Sequence, residues 1–162
     1  MGDWVELGVG NGKYAEKLAQ NNLKKIWAYD TFDGKFPLET VGDGENPEMF
    51  TYGGQSSNPD VRYRLETLGI KCVTGLFPES FHNEHPESVN FVHVDMDTYS
   101  ATKSALELFH PLMEPCGVFM VHDYDNKDMP GVKKAVDEFV SSDIGKLYAT
   151  KPSYEGHYML VR

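Results

Sequence analysis

The run Glu6-Leu7-Gly8-Val9-Gly10-Asn11-Gly12 constrains this chain more than any other stretch, because it sits where an apolar strand-like segment, Trp4 to Val9, gives way to a helical one. Glycines let a backbone turn sharply and approach a ligand closely, and the free N–H groups at the start of the next helix face that ligand. A nucleotide-like cofactor is implied. The dinucleotide fingerprint asks for Gly-x-Gly-x-x-Gly, and counting from Gly8 puts Lys13 where the third glycine belongs. The spacing found is Gly-x-Gly-x-Gly behind the acidic Glu6, which favours a cofactor with an aminoacyl portion over a pyrophosphate. Asp30 closes the second strand-like segment and can accept hydrogen bonds from both hydroxyls of a ribose.

Around this turn, strand-like and helix-like segments alternate, the pattern that makes a parallel sheet with helices on both faces. Strands are expected at Trp4 to Val9, Lys25 to Phe32, Lys71 to Phe77, Val89 to Asp95, Val118 to His122, Lys146 to Thr150 and His157 to Val161. Helices are expected at Lys13 to Asn22, Val61 to Leu68, Ser100 to Met113 and Val132 to Val140, with a polar helix or turn over Pro78 to Glu87. The last two strands are separated only by Tyr154, Glu155, Gly156 and their neighbours, so they should form an antiparallel hairpin. The fold class is therefore α/β, Rossmann-like: a seven-stranded, mostly parallel sheet ending in an antiparallel hairpin, within one domain over residues 1–162. Residues 33–59, rich in Gly, Pro, Asn and acids, are too long and polar for a plain connection and read as a mobile or substrate-covering loop. The acids from Glu39 to Glu48 read as its solvated surface.

Composition narrows the partners. With 162 residues and a net charge of -10, the chain lacks the clustered Lys and Arg that phosphate backbones require, so no nucleic-acid partner is expected. No apolar run reaches the ~20 residues of a membrane span. Met1-Gly2-Asp3-Trp4 leads straight into the first strand without the basic and apolar stretches of a secretory signal, and a cytoplasmic location with no membrane partner is expected. So early a strand also suggests that an N-terminal extension is missing. The two cysteines, Cys72 and Cys116, lie in or beside apolar stretches and are read as reduced, mostly buried thiols.

A second constellation, His93-Val94-Asp95-Met96-Asp97-Thr98-Tyr99, ends the fourth strand and is echoed by His122-Asp123-Tyr124-Asp125 at the end of the fifth. In a parallel sheet these carboxyl ends line one crevice, so Asp95 and Asp123 should converge. Converging carboxylates repel unless a proton or cation intervenes, and oxygen ligands with one imidazole suit a divalent ion such as Mg²⁺ or Mn²⁺. Such an ion would lower the pKa of a bound hydroxyl. The other reading of these acids is as solvated caps on the following helices. His82, His85, His110 and His157 lack partners at ligand spacing and read as surface or core histidines.

These residues resemble the class I S-adenosylmethionine-dependent methyltransferases and, within them, the metal-dependent O-methyltransferases of the macrocin and mycinamicin type. The resemblance rests on Glu6 to Gly12, on Tyr29-Asp30-Thr31-Phe32-Asp33-Gly34, and most distinctively on Val94 to Phe139 with Asp95-Met96-Asp97-Thr98-Tyr99, Pro115-Cys116-Gly117, Asp123-Tyr124, Pro130-Gly131 and Ala135-Val136-Asp137-Glu138-Phe139. It implies S-adenosylmethionine as cofactor, held through Glu6, Gly8, Gly10, Asn11, Gly12, Asp30, Thr31, Phe32 and Asp95, with adenine near Gly75, Leu76 and Phe77. It implies a divalent metal, usually magnesium, on Asp95 and Asp123 with His122 beside them. Asp95 or Asp97 would be the base that prepares a hydroxyl of a small molecule, a sugar or natural product, for methyl transfer. It also implies an N-terminal segment that helps form a homodimer. Members of that family carry paired aspartates on the fifth strand, whereas this chain has His122 in the first place. His122 is then a ligand, or weakens metal binding, or marks a site that works without metal. Two other classes stay open: a catalytically lapsed cofactor-binding module acting through a partner, and a nicotinamide oxidoreductase, which the glycine spacing disfavours.

Overall fold

The computed structural model describes residues 2–21, 24–42, 44–50, 57–152 and 156–162. Seven strands form one sheet: β1 (Asp3–Leu7), β2 (Ile26–Asp30), β3 (Lys71–Thr74), β4 (Val89–Val94), β5 (Met113–Val121), β6 (Ala149–Pro152) and β7 (Tyr158–Val161), in the order β3-β2-β1-β4-β5-β7-β6. The pairs from β3 across to β5 are parallel, whereas β7 runs antiparallel to both β5 and β6. The expected terminal hairpin is therefore present, with Tyr154 and Glu155 of its turn outside the described residues. So are Asn22 of the first expected helix and residues 43 and 51–56 of the long loop.

Side-chain alternation on β2 shows how the two layers arise. Ile26 and Ala28 pack with Ala15 and Leu18 of α1 (Lys13–Asn21) and Val61 and Leu65 of α2 (Pro59–Thr67). Trp27 and Tyr29 point the other way, into a larger core with Phe81 of α3 (Glu79–Asn83), Phe109 of α4 (Tyr99–Phe109) and Val136 of α5 (Pro130–Ser141). A strand has period two, so a continuous apolar run such as Ile26-Trp27-Ala28-Tyr29 makes sense only when both faces are covered. Helices on both faces follow from that run.

Three departures from expectation have local causes. The helix over Ser100 to Met113 ends as α-helix at Phe109, because Pro111 has no N–H to donate, and His110 to Leu112 tighten into a 3₁₀ turn. β5 consequently begins at Met113, and Pro115-Cys116-Gly117 lie within it. There the register shifts, with Met113 opposite Val89 but Val118 opposite Phe91, and Cys116 takes a positive φ of 64°. Cys72 is buried as expected, whereas Cys116 is exposed on that bulge. The strand expected over Lys146 to Thr150 begins at Ala149, after a 3₁₀ turn from Gly145 to Leu147.

Phe109 links the two halves of the larger core. It is fully buried and its ring meets those of Phe81, Tyr29 and Phe77 at centroid distances of 4.9, 6.1 and 6.4 Å. Phe109→Ala should cost about 3–5 kcal/mol of unfolding free energy in urea titrations. A loss under ~1 kcal/mol would show that this cluster does not organise the core.

Candidate functional site

The site is assembled by backbone hydrogen bonds that continue the sheet one residue past its strands. The amide of Gly75 donates to the carbonyl of Asp30 (3.0 Å), Gly8 to Tyr29 (3.0 Å), Asp95 to Leu7 (2.9 Å) and His122 to Val94 (2.9 Å). Gly75, Asp30, Gly8, Asp95 and His122 thus stand side by side along the carboxyl edge. Gly8 sits at the switch point, between the β1-to-β2 and β1-to-β4 sides of the sheet. Its φ is +79°, and a Cβ there would fall 1.8 Å from the carbonyl oxygen of Asp95, so no other residue fits.

A cavity of about 480 Å³ opens over this edge. Of the residues singled out from the sequence, Glu6, Gly8, Gly10, Asn11, Asp30, Thr31, Gly75, Leu76, Phe77, Asp95 and Asp97 line it. Gly12 and Phe32 do not. Gly12 faces away, where a Cβ would meet Val61 and Arg64, and its role is to start α1 by accepting the Glu16 amide at 3.0 Å. Phe32 turns its ring into the smaller core through a left-handed φ of 52°. His122 and Asp123 lie beside the cavity without lining it, one strand further along.

Asp30 is held before any ligand arrives. Its Oδ2 accepts the amides of Val9 (2.8 Å) and Gly10 (3.4 Å), which ties the glycine turn to β2. Its Oδ1 accepts the amide of Phe32 (3.2 Å) and the hydroxyl of the buried Ser57. Glu6 is almost fully buried, takes a hydrogen bond from the Ala15 amide, and leaves Oε2 without a partner. Burial, with Asp95 and Asp30 nearby, raises its carboxyl well above the ordinary range.

The second constellation converges as expected. His122 Nδ1 lies 3.0 Å from Asp95 Oδ1 and 2.8 Å from Asp123 Oδ2, and Asp123 Oδ1 accepts Asn126 Nδ2 at 3.0 Å. The hydrogen bonds to Asp123 and Asp95 push the imidazole up to about 10. Burial works to raise Asp123, but the bonds from His122 and Asn126 outweigh it and hold this carboxyl below its usual range. Asp95, His122 and Asp123 each offer a ligand atom, all within 4.8 Å of one another, a set of oxygen and imidazole donors that suits a small divalent ion. As the side chains stand, the imidazolium supplies the positive charge between the two carboxylates. A cation would have to displace that proton.

Asp97 is pushed up to about 7, first by burial and then by Asp95 and Asp123, with His122 working against the shift. Asp97 and Asp123 hold φ values of 65° and 58°, a left-handed region that ordinary residues avoid. Such backbone strain clusters at functional sites.

Other residues of the site were not singled out one by one in the sequence, although Phe36, Pro37, Thr40 and Ser57 lie in the expected substrate-covering loop. Tyr14 of α1 lines the cavity and stacks on the buried His93 (4.0 Å between centroids), an imidazole held neutral by burial, which pushes it down to about 4. His157, read from the sequence as a surface or core histidine, brings its ring to 4.6 Å from that of His122. Ser57 reaches Asp30 across 27 positions. Phe36, Pro37 and Thr40 add an outer wall to the cavity.

A sheet of this order with a glycine turn at its switch point and acids on the flanking strand ends defines a Rossmann-like methyltransferase fold. Residues 5–124 match the model of the methyltransferase domain family, and the chain belongs to that family. It is 24% identical over 138 residues to the 8-demethyl-8-(2,3-dimethoxy-alpha-L-rhamnosyl)-tetracenomycin-C 4'-O-methyltransferase of Streptomyces olivaceus, a match covering 76% of this chain and 53% of that protein. The chain thus spans about half the length of this curated relative. Among solved structures, the O-methyltransferase NovP superposes over 100% of this chain and 72% of its own, with a TM-score of 0.83 at 20% identity. The calicheamicin methyltransferase CalS11 matches over 99% and 72%, with a TM-score of 0.78 at 20% identity; another structure of it describes a TDP-rhamnose 3'-O-methyltransferase. Among the described residues, no helix is long and apolar enough to cross a membrane.

The raised carboxyl of Asp97 makes stability depend on pH. The folded chain keeps this proton up to about 7, whereas the unfolded chain releases it near the ordinary 3.8. The folded state therefore binds more protons between those values, and stability falls as pH rises through that window. Asp97→Asn removes the cost, and Asn tolerates the left-handed backbone. In chelator-treated protein the variant should be more stable than wild type at pH 8, on the order of 1–3 kcal/mol, with the gap closing near pH 4. Parallel denaturation curves at all pH values would contradict this account.

Proposed function

We propose that this domain transfers a methyl group from S-adenosylmethionine to a hydroxyl oxygen of a small molecule, a deoxysugar of the rhamnose type on a natural product or nucleotide. The observation that carries the reading is a single cavity running from Asp30 and the glycine turn to Asp95 and Asp97. One end offers groups for a ribose and an amino acid, the other carboxylates for a hydroxyl. The unpartnered Glu6 Oε2 suits an ammonium donor, Asp30 suits ribose hydroxyls, and Leu76 and Phe77 offer an apolar wall for a base. Rhamnose enters through the activities for which the Streptomyces olivaceus relative and CalS11 are named.

When bound, S-adenosylmethionine supplies the electrophilic methyl, and a divalent ion on Asp95, His122 and Asp123 would supply Lewis acidity toward the acceptor oxygen. Asp97, with a carboxyl titrating near 7 at the cavity wall, is matched to taking the hydroxyl proton at physiological pH. Asp95 bridges the two ends, since its side chain touches His122 while its backbone abuts Gly8. The remaining contribution is positioning, because a nucleophile held in line with the transferred methyl needs little other help. The net charge of -10 supports a small-molecule acceptor over a nucleic acid, whose phosphates call for clustered Lys and Arg.

Calorimetric titration with S-adenosylmethionine, with and without Mg²⁺, tests the cofactor, and transfer to TDP-rhamnose tests the acceptor class. Asp123→Asn should reduce transfer at least ~100-fold while S-adenosylmethionine affinity stays within about threefold. Undiminished transfer would remove the metal role, and absence of S-adenosylmethionine binding to wild type would remove the cofactor reading.

A further inference from the structure

The acids between Glu39 and Glu48 read as a solvated surface in the sequence, but Glu45 is engaged. Its Oε1 accepts the amide of Tyr99, the first residue of α4, at 2.8 Å and across 54 positions. Its Oε2 accepts the amide of Gly42 at 2.8 Å, which closes the local turn. Thr98 occupies the N-cap of α4 and makes no side-chain capping bond. Glu45 therefore brings from another part of the chain the acceptor that this helix start does not provide for itself. α5 is shaped to admit it: a Cβ at Gly131 would fall 1.8 Å from Glu45 Oε1.

A second bond runs beside the first. Ser100 Oγ donates to the carbonyl of Thr40 at 2.7 Å, and the rings of Phe36 and Phe50 stack at 4.6 Å, bracing the segment on itself. Phe36, Pro37 and Thr40 line the same cavity as Met96, Asp97 and Ala101. The anchored turn of α4 follows Asp97 by two residues, so the contact joins the segment to the part of the cavity that Asp97 lines.

We propose that Glu45 is a positioning residue: it clasps the segment of residues 33–50 onto the first turn of α4, so that Phe36, Pro37 and Thr40 form the outer wall of the acceptor end of the cavity. This rests on the cofactor-and-acceptor reading of the cavity given above. The clasp lies at residues 40–45, whereas the start of the segment is held at the Asp30 end by separate bonds of Thr31 to Asp33 and Lys35, so its loss should bear on the acceptor more than on the cofactor. Truncating it should therefore separate the two.

The experiment compares wild type, Glu45→Ala and Glu45→Gln in the full chain, by amide hydrogen exchange and by kinetics with TDP-rhamnose as the acceptor probe. In Glu45→Ala, the amides of Tyr99 and residues 34–42 should exchange about tenfold faster, the scale of a lost helix cap. KM for TDP-rhamnose should rise about tenfold with kcat changed less, while affinity for S-adenosylhomocysteine stays within about threefold. Glu45→Gln should fall between, because its amide oxygen still accepts from Tyr99. Unchanged exchange at Tyr99 and residues 34–42 overturns the clasp, as does a loss of S-adenosylhomocysteine affinity equal to the rise in KM. A wild type that fails to bind S-adenosylhomocysteine, or to turn over TDP-rhamnose, sinks the functional reading instead, and the exchange comparison then decides the clasp by itself.

Discussion

The contact between Gly8 and the carbonyl of Asp95 is the constraint on which the site depends. The chain leaves β1 toward β2 and β3, then returns to β4 on the other side, and the loops after β1 and β4 diverge from a shared edge. A crevice opens there because successive connections leave in opposite directions. Gly8 allows the two loops to touch at their base, where a side chain would overlap the Asp95 oxygen. Everything above that base inherits its position: the glycine turn is tied to Asp30, Asp30 to Ser57, and Asp95 to His122 and Asp123.

The parts of this arrangement legible in the sequence are those governed by short-range rules. Uninterrupted apolar runs such as Ile26 to Tyr29 announce strands covered on both faces, and glycines with strand-end acids announce the carboxyl edge. That is why Asp95 and Asp123 could be expected to meet. What escaped is contact at long separation by residues of ordinary appearance. Ser57, Glu45 and His157 have nothing in their neighbours to distinguish them, and only the folded chain brings them to Asp30, Tyr99 and His122. Gly12 and Phe32 show the converse. They belong to motifs whose other members line the cavity, yet local geometry turns Gly12 toward α2 and Phe32 into the core.

Charge is distributed in the site at a cost to the fold. Glu6, Asp30, Asp95, Asp97 and Asp123 crowd one edge, and only some are compensated: Asp30 by backbone amides, Asp95 and Asp123 by the His122 imidazole. Glu6 and Asp97 answer the crowding with carboxyls raised above the ordinary range. An arrangement tuned for stability would not bury like charges against one another, nor hold Asp97 and Asp123 in left-handed backbone. The same features suit a site that must exchange protons near neutrality.

The two ends of the cavity differ in how they are held, and the difference bears on how such a domain could change its acceptor. The end beneath Asp30 is fixed by amide-to-carbonyl bonds of the sheet edge together with the Asp30 carboxylate, which gathers the amides of Val9, Gly10 and Phe32. The end beneath Asp97 is roofed by a segment attached through the side chains of Glu45 and Ser100. Substitutions in the roof at Phe36, Pro37 or Thr40 alter cavity shape without touching the ladder that organises the edge. A fold built this way can keep one cofactor geometry while its outer wall varies, because the two ends are held by separate sets of contacts.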